Sequence, residues 1–120
     1  MDRRQQFYTV GDVGRSERLE QELWCPVAAT AGLIAGKWKP TILLNLKTGP
    51  VRFNELRRLI PGITQRSLTM QLRALERDGL VDRRDHNTNP PHVDYKLSER
   101  AWGLGPILDA MAEWGELHGH

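Results

Sequence analysis

No apolar run in the chain approaches the roughly 18 residues that a membrane-spanning helix needs. The opening MDRRQQFYTVGDVG also lacks the apolar centre of a signal peptide. The expected location is therefore the cytoplasm, with no membrane partner. Cysteine is nearly absent: Cys25 stands alone, which excludes an intramolecular disulfide framework, fits a reducing compartment and leaves an intermolecular bond open. The fingerprints of catalysis are missing too. There is no G-x-S-x-G, no H-E-x-x-H, no phosphate-binding loop and no dinucleotide motif, so neither an enzyme nor a cofactor is expected. His86, His92, His118 and His120 could be combined with Cys25 on paper, but none has the close ligand spacing of a zinc motif, and no metal is expected.

What remains is one modest globular unit. The 120 residues are about one domain long, and 39% hydrophobic with 27% charged residues is ordinary for a chain that folds. A net charge of +2 says little by itself; its placement says more. Arg52, Arg57, Arg58, Arg66, Arg73, Arg77, Arg83 and Arg84 fall between residues 51 and 84, against Glu55, Glu76, Asp78 and Asp82. After Leu97 the balance reverses, with Glu99, Asp109, Glu113 and Glu116 against Arg100. An acidic partner would meet the middle of the chain.

The apolar spacing divides the sequence into short elements. Leu19 and Leu23 stand four apart among charged residues, which predicts a short amphipathic helix after a glycine-containing arm. Pro26 suits the first position of a second helix, ended by Gly36, and Pro40 opens a third whose Ile42, Leu43, Leu44 and Leu46 make most of its surface apolar. Gly49 and Pro50 stop it. VRFNELRRLIPG places Phe53, Leu56, Leu59 and Ile60 on one helical face, and Thr64 is positioned to cap the helix that follows. LVDRRD and HVDYKLS, joined by the proline-containing loop HNTNPP, predict a two-stranded hairpin with a protruding tip. The last helix carries the stripe Leu104, Ile107, Leu108, Met111, Trp114 and Leu117, with Gly103, Gly105 and Pro106 expected to kink or delay its start.

The helix after Thr64 is two-sided. With about 100° per residue, Leu72 and Leu75 lie within roughly 40° of Leu68, whereas Arg66, Thr69, Met70, Arg73 and Arg77 gather opposite. A short helix, a tight turn, this helix and then a basic hairpin is the order of a winged helix-turn-helix. In that arrangement Gln65 and Arg66 fall nearest base edges, because Gln can pair with adenine and Arg with guanine in the major groove. Thr69 and Met70 could meet a thymine methyl, Arg73 a base or phosphate, and Arg77 a phosphate. Arg83, Arg84, His86 and His92 flank the hairpin loop, where they could follow the backbone or enter the minor groove. Two alternatives stay open. The arginines could form a solvated, salt-bridged face, or the whole domain could serve protein contacts alone.

The stretch from Cys25 to Arg84, and PPHVDYKLSERAWGLGPILDAMAEWGE after it, closely resembles the HxlR-type winged helix-turn-helix transcription regulators, relatives of the MarR type. GKWK, RFNELRRLIPGI, LTMQLRALERDGLV and VDYKLSE are the most specific parts. The resemblance implies a mainly α fold with a small β-hairpin, and a homodimer on a palindromic or pseudopalindromic operator. In it, residues 64–77 match the recognition helix and residues 83–92 the wing. It also implies dimerisation through the N- and C-terminal helices, which points to Leu19, Leu23, Leu104, Ile107, Leu108, Met111 and Trp114. Lys37 and Lys39 fall in the GKWK signature, where phosphate contact and plain solvation beside a buried Trp38 compete as readings; Arg52 is the better phosphate candidate. The organisation expected is an arm with a short helix at 1–24, the DNA-binding domain at 25–98 and a dimerisation helix and tail at 99–120.

Cys25 precedes the proline that opens a helix, so its sulfur is expected near unpaired N–H groups and the positive end of the helix dipole, which favours thiolate. Some HxlR-type regulators resemble redox sensors with a cysteine at the matching position, and no second cysteine in this chain could resolve an oxidised one. A packed thiol beside Trp24 and Trp38 is the competing reading. The expected function is a DNA-binding regulator, more naturally a repressor, switched by oxidation or electrophile modification at Cys25; a small-molecule effector without cysteine sensing is the alternative.

Overall fold

The computed structural model describes residues 24–119. The expected first helix with Leu19 and Leu23, and His120, lie outside the described residues. The backbone falls into two units, residues 1–35 and 36–120. In the first, α1 (Pro26–Leu33) starts where the sequence predicts, with Pro26 in its first turn. Cys25 is its N-cap in an extended conformation, its carbonyl accepting the Ala29 N–H at 2.9 Å. Thr30 Oγ1 donates to Pro26 O at 3.0 Å, and the helix ends before Gly36, whose φ is +112°.

The second unit contains α2 (Lys39–Leu46), β1 (Val51–Arg52), α3 (Phe53–Leu59), α4 (Gln65–Arg77), β2 (Val81–Asp85), β3 (Val93–Leu97), a 3₁₀ turn at Glu99–Ala101 and α5 (Leu104–His118). Its core forms where the apolar faces of these elements meet. Ile42, Leu43 and Leu46 of α2, Leu56 of α3, Leu68, Leu72 and Leu75 of α4, Leu80 just before β2, and Val81, Tyr95 and Leu97 of the sheet are all buried. Leu108 of α5 joins them, and Lys47 Nζ meets Asp109 Oδ1 at 2.5 Å on the surface of the α2–α5 contact.

The sheet differs from expectation. It has three antiparallel strands in the order β1-β3-β2, not two. Val51 and Arg52, read as the start of a helix, are instead extended and pair with Tyr95 and Asp94. Gly49, at φ +144°, and Pro50 turn the chain back, so that Val51 and Arg52 complete the exposed edge of β3 before α3 begins at Phe53. Leu59, expected on the buried face of α3, is exposed, while Ile60, just past the end of the helix, is buried.

Local chemistry fixes both ends of α4. At its start Thr64 Oγ1 accepts the Ser67 N–H at 3.0 Å, the cap expected from the sequence. At its end Gly79 takes φ +72°, its N–H donates to Glu76 O at 3.0 Å, and the Leu80 N–H reaches back to Leu75 O at 2.9 Å. That pair of bonds is a Schellman motif, which needs the left-handed residue that Gly79 supplies. Arg100 also donates to Asp78 O, and the Ser98 hydroxyl donates to Gly79 O at 2.6 Å. α5 begins at Leu104, immediately after Gly103; Pro106 lies in its first turn, where a missing N–H costs nothing, so it does not kink the helix.

Candidate nucleic-acid interface

The outward face of α4 is the one the apolar spacing predicts. Gln65, Arg66, Met70, Arg73 and Arg77 are exposed, and Thr69 is half-buried. Thr69 Oγ1 donates to Gln65 O at 2.8 Å, which leaves its methyl and a lone pair for an outside partner. Among the described residues no carboxylate pairs with Arg66, Arg73 or Arg77. A salt-bridged face would have quenched this charge; here it stays available to an anion. Met70, 56% exposed, sits between the arginines as an apolar contact on an otherwise cationic surface.

The wing separates residues that the sequence grouped. Side chains on a strand alternate between faces, and Val81, Tyr95 and Leu97 define the face turned to the core. Arg83 lies on that side, opposite Tyr95, whereas Arg84 lies on the outer face opposite Asp94. Arg52 pairs with the same Asp94 from the other side, so Arg84, Asp94 and Arg52 form one row across the outer face. Arg52, His92 and Arg58 also border an open groove of about 690 Å³ between the wing and the start of α3. Lys37 is exposed with Nζ 4.7 Å from the Trp38 ring centroid, a cation–π contact. Trp38 is half-buried rather than fully buried, and its Cη2 would lie 3.8 Å from a Cβ added at Gly62 in the turn before α4. Lys39 is half-buried in the first turn of α2.

Where the strands of the wing open into its loop, His86 and His92 join Asp94 in a cluster that the sequence reading did not group. His86 Nε2 lies 2.8 Å from Asp94 Oδ2, and His92 Nε2 lies 3.5 Å from the same oxygen. The two imidazoles stack with centroids 4.0 Å apart, and Arg52 Nη2 approaches His92 Nδ1 at 3.1 Å. Partial burial, then the Arg52 guanidinium and the stacked His86, hold the His92 pKa below the ordinary imidazole value against the opposing pull of Asp94. The signal was in the register: His86 and His92 are the next pair outward from Asp85 and Val93, and the His86 N–H donates to His92 O at 2.9 Å. Linear spacing hides this; hairpin pairing reveals it.

The HxlR-like helix-turn-helix family model matches residues 33–120, nearly three-quarters of the chain and all of the interface just described. The chain belongs to the HxlR family. An uncharacterised HTH-type transcriptional regulator of Methanothermobacter thermautotrophicus is 45% identical over 112 residues, spanning 93% of this chain and 82% of that protein. The HTH-type regulator YdeP of Bacillus subtilis is 50% identical over 92 residues, 77% of this chain and 72% of its own. Among solved structures, the redox regulator HypR in its reduced form superposes with a TM-score of 0.73 at 49% identity, covering 77% of this chain and 91% of HypR. This HxlR-type protein is thus a transcriptional regulator with a helix-turn-helix DNA-binding fold, and not an enzyme. No helix among its described residues is long and apolar enough to cross a membrane.

The remaining sites expected in this HxlR-type chain are placed as follows. Leu108, expected at the dimer interface, is only 3% exposed and belongs to the protomer's own core, and Leu104 is half-buried. Ile107, Met111, Trp114 and Leu117 are exposed along α5. Cys25 is partly buried at the start of α1, and the neighbouring Trp24 is 51% exposed.

Proposed function

We propose that this regulator binds a palindromic operator as a cytoplasmic homodimer and represses the promoter it occupies. Gln65, Arg66, Thr69, Met70 and Arg73 enter the major groove, while Arg84 and Arg52 meet phosphate beside it. The observation that carries this is the exposed cationic face of α4, whose arginines pair with no carboxylate among the described residues, on a helix capped at both ends and so held as a rigid reading element. The apolar stripe of α5, together with the segment bearing Leu19 and Leu23, joins the two protomers. The symmetry of that contact sets the symmetry of the operator. Selection of bound sequences from a random duplex pool tests the reading directly. Enrichment of a two-fold symmetric site supports it, and recovery of no preferred sequence overturns it.

Cys25 is the switch in this reading. Its place at the start of α1 and the likeness to a protein whose structures carry the description of a redox regulator, in reduced and oxidised forms, support it. With one cysteine per chain, two routes are open: a disulfide between the Cys25 residues of two protomers, or a mixed disulfide with a small thiol. In either, two thiols lose two protons and two electrons to the oxidant. Diamide treatment should lower operator affinity of the parent and leave a Cys25→Ser protein unaffected. Equal loss in both would show that the switch lies elsewhere, with a small-molecule effector as the remaining reading.

A further inference from the structure

The loop end of the wing carries chemistry that the proposed base contacts do not use. One ring nitrogen each of His86 and His92 and a carboxylate oxygen of Asp94 all lie within 4.8 Å of one another. Their side chains are partly buried, at 24%, 26% and 14% exposure, and come from both arms of a hairpin whose backbone is closed by the His86 to His92 hydrogen bond. Two imidazoles and one carboxylate are the donor set of a borderline divalent ion; calcium and magnesium take oxygen shells instead. We propose that His86, His92 and Asp94 form a binding site for a transition-metal ion of the zinc type, with a fourth position left for water.

The approach needed is small. Tetrahedral coordination at zinc distances places donor atoms about 3.3 Å apart, and the observed separations bracket that value. The lone pair of an imidazole nitrogen lies in the ring plane, so the two stacked rings, now within 20° of parallel, must turn about χ2 to point at one ion. His92 borders the open groove, which gives its ring space to turn.

Arg52 makes the site conditional. A guanidinium only donates, so His92 Nδ1 accepts the Arg52 N–H and the neutral ring keeps its proton on Nε2. A metal at Nε2 requires that nitrogen bare. The proton then moves through solvent to Nδ1, which can no longer accept from Arg52, and the guanidinium is released from the ring. Metal occupancy and the Arg52–His92 bond therefore exclude each other. Removing Arg52 also removes a cation from beside the ion.

Titration of the full-length, chelator-stripped protein with Co²⁺ tests this, since a low-symmetry nitrogen and oxygen site gives visible d–d absorption. One saturating ion per chain is expected, with paramagnetic shifts of the His86 and His92 ring protons. His86→Gln and His92→Gln should each weaken binding by about tenfold or more, and Arg52→Gln should tighten it. Zn²⁺ should raise the Tm of the parent and not of His86→Gln, whose metal-free melting reports whether it folds. A signal that survives both histidine variants, that vanishes on replacing His118 and His120 instead, or that never saturates overturns the site. An Arg52→Gln protein that binds no more tightly than the parent overturns the exclusion.

Discussion

Thr69 gives its hydroxyl proton to the backbone of its own helix, so what it offers a base pair is chiefly a methyl group. Its neighbours Gln65 and Arg66 carry the donors, and the difference decides what each substitution does. Arg66→Ala should cost about 1–3 kcal/mol at the selected operator and relax preference at one base pair, because a bidentate contact to guanine is lost. Competition binding against single-base operator variants reads this out. Arg84→Ala should weaken all sequences alike and reduce the salt slope of log affinity by about one. Arg83 lies on the opposite face of its strand. Arg83→Ala should therefore not reproduce the Arg84 effect, and equal effects would mean that the wing is turned differently on DNA.

At the scale of elements, the two-sided course and the start of α4 were legible in the sequence because their causes are local. Leu68, Leu72 and Leu75 supply one buried stripe and Thr64 the cap, while the left-handed exit at Gly79 was not read from the sequence. Thr64→Ala should cost about 1 kcal/mol of stability. Gly79→Ala should cost about 1–2 kcal/mol, since an added Cβ is strained at φ +72° and would approach Arg100 Nη1 to 3.3 Å. The two sites lie at opposite ends of one helix, so urea midpoints of the double variant should show near-additive losses at unchanged m. β1 was not legible: two residues have no period, and their partners Tyr95 and Asp94 are supplied by a strand far along the chain. The His86, His92 and Asp94 cluster was hidden for the same reason, since it exists only once the hairpin register is known.

For the whole molecule, the exposed stripe of α5 is the surface on which the proposed dimer rests. Trp114 is 64% exposed and Met111 46%, whereas Leu108 on the same helix is already spent on the protomer's core. Periodicity alone grouped the three, because it cannot tell an internal partner from an external one. Trp114→Glu should leave the helical circular dichroism intact, shift the sedimenting species to monomer, and abolish operator binding at concentrations where the parent is saturated. One tie between the segment ahead of α5 and the reading head stands out among the described residues. Ser98 and Arg100, in the short segment ahead of α5, hold the carbonyls of Gly79 and Asp78 at the trailing end of α4. A force passed through that tie would act on α4 as on a lever with its fulcrum at the far end. Thirteen residues span about 20 Å, so a tilt of about 5° at the fulcrum swings Gln65 and Arg66 by about 1.7 Å, enough to take a side chain out of hydrogen-bonding range. In the proposed dimer, a movement passed through this tie would be felt most at Gln65 and Arg66 and least where the helix is tied down.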